Sequence, residues 1–403
     1  MTSRITTVLA LAASTFLFAC SEEPATSDTQ VSAIEALADE YLAAVLERNP
    51  QMGTHLGIEG ARHDRLFDNS LGALAEWQER EDAWFARLNA IPEPNEVGSR
   101  DWISYGILHE ELGTSIALRL CRNELWQASG STGWHRGLPF LFEIQPVETA
   151  DQRQQTLERL SRVDRYIDNE IANLRLGLES GYSAPRVTVA AVPDQVRSLI
   201  GDDSIFLNPA TRADDDMFTA AVNEIYDSEI VPALNRFADF IEDAYLAQAR
   251  EDIALSANTD GADCYPLRVQ SFTTIRPPAD EIHQLGLEQI DKIHGEMRTT
   301  IDEHFGGGPI DEFLRRINDD PEFTFESEAA VLQYSIDGLD AAKEAMPRAF
   351  GRLPVADVIV KPYPEFASSG SGEYHPSSED GTRPGIFYIA VKDPTRRTRS
   401  NQL

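Results

Sequence analysis

The sequence predicts a mainly α protein, in which a large helical domain is followed by a small antiparallel β element near the C-terminus. Apolar residues recur every three or four positions over most of the chain, which is the period of one helix face. Runs of β-branched and aromatic residues, by contrast, are scarce. The best two, at 357–361 and 385–391, lie near the C-terminus and are separated by a Ser/Gly-rich segment that favours turns.

The helical stripes follow one another along the chain, and we expect them to face a hydrophobic core. The second stripe ends near Gly181, which suits a helix C-cap. The third contains Pro232, where we expect a kink. The fourth is ended by the turn Gly306-Gly307-Gly308-Pro309. The stripes comprise Val31, Ile34, Ala38, Tyr41, Leu42 and Val45; Leu157, Leu160, Val163, Ile167, Ile171, Leu174 and Leu178; Phe218, Val222, Ile225, Ile230, Leu234, Phe237 and Ile241; Ile282, Leu285, Ile290, Ile293, Met297 and Ile301; and Val331, Tyr334, Leu339 and Ala342.

The strand at 385–391 is apolar, through Ile386, Phe387, Ile389 and Val391. Only twelve residues follow it, and they show no helix that would cover it. We therefore expect an exposed, aggregation-prone strand. The chain reads as if it stopped shortly before an active site.

Residues 1–19 have the pattern of a bacterial export signal: Arg4 precedes an apolar stretch too short to span a bilayer. The stretch ends in Leu17-Phe18-Ala19-Cys20, which resembles the lipobox of lipoproteins, so we expect lipid on Cys20. Two or three acyl chains anchor a protein stably. The alternative is an ordinary cleaved signal with Cys20 near the cut. Residues 20–30 predict a polar tether, 31–350 the helical domain and 351–403 the β region.

The expected location is the cell envelope, at the outer membrane and facing the periplasm, because Ser21 is not the Asp of an inner-membrane retention signal. The chain has 35 Lys and Arg against 67 Asp and Glu, a net charge of −32. This balance argues against a nucleic-acid partner, which requires a basic face. Cys121 and Cys264 are the other two cysteines, and an oxidising periplasm favours a disulfide between them. Two unpaired buried thiols are the alternative.

The familiar catalytic motifs are incomplete in this sequence. His109-Glu110 begins like the zinc-binding His-Glu-x-x-His, but Gly113 stands where the second histidine is required. No Gly-x-Ser-x-Gly elbow occurs. The run Asp214–Asp216 favours a helix N-terminus over a calcium loop. Residue chemistry alone therefore predicts no catalytic residue, no metal ligand and no cofactor in this chain.

Several blocks lie between residues 121 and 388: CRNELW at 121–126, GW at 133–134, QPVET at 145–149, NLRLGL at 173–178, GYSAP at 181–185, TT at 273–274, EIHQLGL at 281–287, EM at 296–297 and DGTRPGIFY at 380–388. Together they resemble a family of predicted bacterial lipoproteins of unknown function related to zincin-type metallopeptidases. The resemblance implies a mostly helical fold with a small sheet. It also implies peptidase activity and a zinc ion for the full-length family.

Members of that family carry a His-Glu-x-x-x-Gly-His-His motif soon after the segment that corresponds to 383–394, and a Glu-bearing helix later. Neither occurs here, so no ligand can be carried over. The resemblance therefore implies the N-terminal portion of a lipid-anchored metallohydrolase, cut short and inactive as it stands. The alternative is a non-catalytic helical lipoprotein that binds a peptide or an envelope component.

The strand before the missing motif does match the family. In zincin-like enzymes such a strand lines the cleft and pairs with an extended substrate. The resemblance thus makes Tyr374, His375, Arg383 and Tyr388 candidate substrate-binding residues. An arginine can fork a substrate carboxylate, and a tyrosine can donate to an oxyanion. The alternative is that these polar residues only complete the edge of a sheet.

Overall fold

The structure, a computed structural model, describes residues 31–364 and 372–399. Residues 1–19, Cys20 and the tether lie outside this range. The helices are α1 (Ala33–Arg48), α2 (Pro50–Leu56), α3 (Leu71–Asn89), α4 (Arg100–Leu118), α5 (Trp134–Glu143), α6 (Ala150–Leu160), α7 (Val163–Glu179), α8 (Arg186–Val189), α9 (Val192–Arg197), α10 (Asn208–Arg212), α11 (Asp216–Ile225), α12 (Val231–Phe240), α13 (Leu246–Gln248), α14 (Gly261–Thr273), α15 (Ala279–His304), α16 (Ile310–Asp319) and α17 (Glu328–Ala349). The strands are β1 (Val358–Pro362), β2 (Gly372–His375) and β3 (Gly385–Ile389). The mainly helical fold class with a small C-terminal sheet is confirmed.

Local sequence explains where several helices begin and end. The Asp215 carboxylate accepts hydrogen bonds from the backbone N–H groups of Met217 and Phe218, at 3.1 and 3.0 Å. The acidic run is therefore the N-cap of α11, as expected. Pro232 lies in the first turn of α12, directly after a π-helical turn at Tyr226–Ile230. The irregularity thus falls where the proline predicts it.

The main core lies among α6, α7, α9, α11 and α12. The predicted stripe at 157–178 is interrupted between α6 and α7, but Leu160, Val163, Ile167 and Leu174 are all buried in this core. A second apolar cluster joins α1, α3 and α4, with Trp77 and Trp84 at its centre. Helix periodicity therefore predicts the inward faces of α6 and α7 correctly. The predicted stripe at 31–45 is only partly right, because Val31 and Leu42 are 63% and 55% exposed.

The sheet has the order β1-β3-β2, with β1 parallel and β2 antiparallel to β3. The two strands expected from the sequence, β1 and β3, are parallel and not antiparallel, and the antiparallel pair is β2 with β3. The parallel pair was not foreseen, because β2 was missed: this short strand is rich in polar side chains. The chain crosses from β1 to the far edge of the sheet before it returns as β3.

The expectation of an exposed β3 is wrong. Ile386 is 5% and Ile389 is 1% exposed. Phe140 of α5 covers one part of the strand, while Phe325 and Val331 cover the other. The covering residues come from earlier in the chain, so a search for a following helix could not find them. The boundary that the sequence places near residue 350 marks a change from helices to strands. The sheet packs against α5 and α17, so the two parts share a hydrophobic core.

The apolar stripe of α15 is a second correction. Leu285, Ile290 and Ile293 are 55%, 49% and 50% exposed, and among the members of this stripe only Ile301 is buried. The period identifies the apolar face of the helix but not a partner for it. Within the described residues, little packs against that face.

Cys121 and Cys264 are joined as the sequence predicts, with their Sγ atoms 2.08 Å and their Cα atoms 5.1 Å apart. Cys121 closes the turn after α4, and Cys264 lies in α14. The pair therefore connects α14 to the N-terminal helices. Among the described residues, no helix is long and apolar enough to cross a membrane.

Candidate functional site

A cleft with a volume of about 570 Å³ opens between α2, α5 with the turn before it, and the sheet. All four residues proposed from the family resemblance, Tyr374, His375, Arg383 and Tyr388, line this cleft. The other lining residues are Gln51, His55, Ser131, Thr132, Gly133, Trp134, Arg136, Gly137, Leu138, Phe140, Leu141, Glu143, Ile144, Tyr166, Glu373, Pro376 and Ile386. The structure thus brings the four together, while their role in binding stays a prediction.

Tyr388 lies on the central strand and is 1% exposed. Its hydroxyl donates to Glu143 Oε2 at 2.8 Å, and Lys361 Nζ lies 3.6 Å from the other oxygen of that carboxylate. Burial, and then the charge of Glu143, raise the pKa of Tyr388 far above its usual value. The tyrosine is therefore neutral, and its hydroxyl proton is already used in the hydrogen bond to Glu143.

His375 ends β2, and two aromatic neighbours fix its ring. The ring centroid lies 4.6 Å from that of Phe140 and 4.9 Å from that of Tyr388, both edge-on. His375 Nε2 lies 3.2 Å from Glu373 Oε1. The other oxygen of Glu373 accepts a hydrogen bond from the Tyr363 hydroxyl at 3.3 Å. A chain of polar contacts therefore runs along the wall formed by β2.

Arg383 has a structural contact that the sequence did not predict. Its guanidinium donates to the backbone carbonyls of Pro376, at 3.0 Å, and of His55. It thereby fastens the loop before β3 to α2. Two of its N–H groups are committed to these carbonyls, so fewer donors remain for a substrate carboxylate than the fork geometry supposes.

His55 lines the cleft from α2 and was not identified from the sequence. Burial lowers the pKa of His55 to about 4, and electrostatic repulsion from His375 and Arg383 acts in the same direction. At neutral pH this imidazole is therefore uncharged. A neutral imidazole offers one donor and one acceptor to a ligand.

Tyr374 is half exposed at the mouth of the cleft. Its hydroxyl packs over Gly385, where a Cβ atom would lie 2.4 Å from the tyrosine oxygen. A larger residue at this point of β3 would therefore displace the Tyr374 ring from its place over the strand. The preceding residue, Pro384, and this glycine belong to the block DGTRPGIFY, so sequence reasoning located the segment but not the packing.

Helix α5 supplies the opposite wall, which the sequence did not single out. Trp134 packs edge-on against Tyr166 and Phe237, and its indole Nε1 is buried without a partner among the described residues. Next to it, His135 is 2% exposed and its Nε2 lies 2.9 Å from Gln195 Oε1. Gly133-Trp134 was one of the resemblance blocks, and that was the available clue.

The described residues do not fit the zinc ion implied by the family resemblance. Within residues 31–364 and 372–399, no three His, Cys, Asp or Glu side chains are arranged to hold a metal. A zinc site needs three or four such ligands around one point. What the cleft offers is aromatic side chains, neutral donors and acceptors, the charged groups of Arg136, Arg383, Glu143 and Glu373, and one strand.

Comparison with known proteins places the chain beside bacterial proteins without an assigned activity. A family model described as "Bacterial protein of unknown function (DUF885)" matches residues 50–403. A crystal structure of a putative lipoprotein from Colwellia psychrerythraea matches with a TM-score of 0.78 and 17% identity, over 92% of this chain and 70% of that one. A putative lipoprotein of unknown function from Shewanella oneidensis matches with a TM-score of 0.58 and 16% identity, over 92% and 67%. None of the curated proteins matches the sequence.

Proposed function

Since the chain belongs to the DUF885 family of bacterial proteins of unknown function, we propose that it is a lipid-anchored envelope protein whose cleft binds an extended peptide. We further propose that this cleft is the substrate-binding part of a peptide hydrolase. The zincin-like resemblance of the sequence supports the hydrolase, and the geometry of the sheet supports the peptide.

One observation carries the peptide proposal: β2 is an edge strand that lines the cleft. Its inner edge pairs with β3, and its outer edge has no strand partner within the described residues. Glu373, Tyr374 and His375 all line the cleft. Successive side chains point to opposite faces of a strand, so a cleft that all three line includes the strand's edge. An extended peptide can add to such an edge through main-chain hydrogen bonds.

The walls of the cleft suit a peptide better than a highly charged ligand. Trp134, which is partly exposed, and Tyr374, which is half exposed, supply aromatic surface for side chains. The Glu143 carboxylate is already engaged by Tyr388 and lies near Lys361. Main-chain pairing would supply affinity, and the aromatic surface would supply preference among side chains.

The test compares two labelled peptides of the same sequence, one of them N-methylated at alternate backbone nitrogens. Methylation removes N–H donors but keeps the side chains. If β2 pairs with the peptide, fluorescence polarisation should show affinity about tenfold lower or worse for the methylated peptide. Equal affinity for the two peptides would refute strand pairing.

A variant pair locates the binding. Tyr374→Ala at the mouth of the cleft should weaken binding of the unmodified peptide. Tyr265→Ala is the matched control, because Tyr265 is also exposed, at 41%, but lies on α14 outside the cleft lining. If both variants bind like the wild type, the peptide does not occupy this cleft.

For the hydrolase part, we propose that this chain binds peptides without cleaving them. Purified protein is incubated with fluorogenic peptides, with and without added zinc, and the products are analysed by mass spectrometry. No cleavage is expected, because the described residues supply no ligand set for the metal. Chelator-sensitive cleavage together with stoichiometric zinc would contradict this. If longer members of the family also bind peptides and do not cleave them, the non-catalytic alternative is favoured.

The lipid anchor is tested separately from the cleft. The wild type and Cys20→Ser are expressed in a Gram-negative host, and the membrane and soluble fractions are compared. We expect the wild type in the outer-membrane fraction and the variant in the soluble periplasmic fraction, since acyl chains on Cys20 would be the anchor. Identical partitioning of the two proteins would disprove the lipidation.

A further inference from the structure

A second pocket of about 360 Å³ lies between the end of α1, the loop before α3, α3 and the start of α7. It shares no lining residue with the cleft. Its walls are formed by Glu47, Arg48, Pro50, Arg65, Leu66, Asp68, Ala73, Glu76, Trp77, Arg80, Arg162 and Arg165. Neither the peptide proposal nor the family resemblance assigns it a role.

The charge of this pocket is opposite to that of the chain. Five arginines line it against three carboxylates, so the lining residues carry a formal charge of 5 − 3 = +2. In the whole sequence, acidic residues outnumber basic ones by 67 to 35. Gathering like charges at one place raises their free energy unless an opposite charge compensates them. The local excess therefore matches a doubly negative ligand.

Aromatic rings, and not carboxylates, hold two of the guanidinium groups. Arg48 lies 4.4 Å from the ring centroid of Trp77, and Arg80 lies 4.9 Å from that of Trp84. Arg80 also lies over Trp77, at 5.4 Å. A guanidinium that rests its face on an indole keeps the N–H donors at its edge for other partners.

Within the described part of the chain, Arg65 is the one arginine of this pocket that forms an ion pair, with Asp64. Among the described residues, the guanidiniums of Arg48, Arg80, Arg162 and Arg165 form no ion pair. Arg162 donates to the backbone carbonyl of Asp64 at 3.3 Å. Arg65 lies 3.9 Å from Asp64, a distance at the limit of an ion pair. Five guanidiniums around one pocket thus retain most of their donors.

The hydrogen bonding of a pocket carboxylate and the burial of a pocket arginine also favour a bound anion. Asp68 accepts a hydrogen bond from the backbone N–H of Ser70 at 3.0 Å, so part of its acceptor capacity is used. Burial lowers the pKa of Arg48; the charge of Glu81 opposes this shift, and the charge of Arg80 adds to it. A bound anion would relieve both the desolvation and the repulsion.

We propose that this pocket binds the phosphate group of a phosphomonoester. Such a group carries a charge of about −1.5 to −2 at neutral pH, which matches the local excess. Planar guanidinium forks pair with phosphate oxygens through two parallel hydrogen bonds. The pocket is also large enough to admit part of the organic group that bears the phosphate.

The test is calorimetric titration of the full chain with inorganic phosphate and with glycerol phosphate, against chloride at matched ionic strength. We expect binding of both phosphates that exceeds the chloride background. A third arm uses vesicles that contain phosphatidic acid, which distinguishes a lipid headgroup from a soluble ligand. No binding of phosphate in any of the three arms overturns the proposal.

Two substitutions at exposed arginines locate the binding: Arg80→Gln and Arg165→Gln. Each should weaken phosphate binding about tenfold or more, because a charge-assisted contact is lost. Arg165 contacts no aromatic ring among the described residues, so its substitution should disturb the fold less. If Arg80→Gln folds poorly, Arg165→Gln provides the test. Arg298→Gln, exposed on α15, makes the same change of charge and should bind like the wild type. An equal loss in Arg298→Gln would show a non-specific effect and refute the pocket.

Discussion

His135 shows how burial decides the chemistry of a single side chain. It is 2% exposed, it lies against Gly133, and its Nδ1 has no partner among the described residues. Burial lowers the pKa of His135 to about 4, although the hydrogen bond with Gln195 opposes the shift. The ring is therefore neutral in the folded protein at neutral pH.

This predicts a loss of stability in acid. The unfolded chain takes up the His135 proton near its ordinary pKa, whereas the folded chain takes it up near 4. The contribution is fully present above about pH 6.5 and falls, on the order of 3 kcal/mol in total, as the pH decreases towards 4. Urea unfolding from pH 7 to 4 should show a shallower pH dependence for His135→Gln than for the wild type. His283→Gln, at an exposed position, is the control, and equal slopes for wild type and His135→Gln would contradict the prediction.

The hydroxyl of Tyr388 is the second case at this scale. Tyr388→Phe removes the donor to Glu143 and leaves that carboxylate with Lys361 at 3.6 Å. We expect the free energy of unfolding to fall by about 1–2 kcal/mol, since a half-buried acceptor loses its partner. Tyr374→Phe, at a half-exposed position, should change it by less than about 0.5 kcal/mol. Equal effects in urea titrations would mean that the bond to Glu143 does not stabilise the fold.

At the scale of elements, glycines show where helices approach other backbone closely. A Cβ atom on Gly177 of α7 would lie 1.9 Å from the carbonyl oxygen of Leu125. Gly286 of α15, in contrast, has nothing within 4 Å of its Cβ position. The two glycines are alike in sequence terms, because both lie inside helices.

Their alanine variants should therefore change the stability of the protein in opposite directions. Gly177→Ala should destabilise the protein by about 2 kcal/mol or more, because α7 must move away from the 123–125 turn. Gly286→Ala should stabilise it by up to about 1 kcal/mol through the helix propensity of alanine. Chemical denaturation of both variants tests this. Stabilisation by Gly177→Ala would show that α7 and the turn are not packed as described.

The link between α14 and the turn after α4 gives a second prediction at this scale. A disulfide that closes a 143-residue separation should stabilise the fold by roughly 4–5 kcal/mol on the chain-entropy account. Reductant, or the double variant Cys121→Ser/Cys264→Ser, should lower the urea midpoint accordingly. Alkylation of the unreduced, unfolded protein followed by mass spectrometry checks the bond. Two modified thiols would show that Cys121 and Cys264 are unpaired.

At the scale of the whole molecule, apolar surface is distributed unevenly. β3, which was expected to be exposed, is covered, while α15 exposes Leu285, Ile290 and Ile293. These exposed apolar residues lie close together along α15, which favours contact with hydrophobic molecules.

The double variant Leu285→Glu/Ile293→Glu should therefore bind a hydrophobic dye less strongly than the wild type. Its free energy of unfolding should change by less than about 1 kcal/mol, because both positions are already in contact with water. Val355→Glu, at 97% exposure and outside α15, is the control and should leave dye fluorescence unchanged. Unchanged dye binding by the double variant would show that the dye binds to another part of the surface.

The sequence by itself determined the helical fold class, the inward faces of α6, α7, α11 and α12, and the segment that contains the cleft residues. These depend on local periodicity and on short blocks, which are properties of neighbouring residues. Only the tertiary structure decided that β3 lies at the centre of a mixed sheet, covered by Phe140 and Val331 from far upstream. It also decided that Tyr388 meets Glu143, that Arg383 binds the backbone carbonyl of His55, and that five arginines share one pocket. These contacts join residues separated by tens to hundreds of positions, and no periodic pattern specifies which distant segment will fill a given surface.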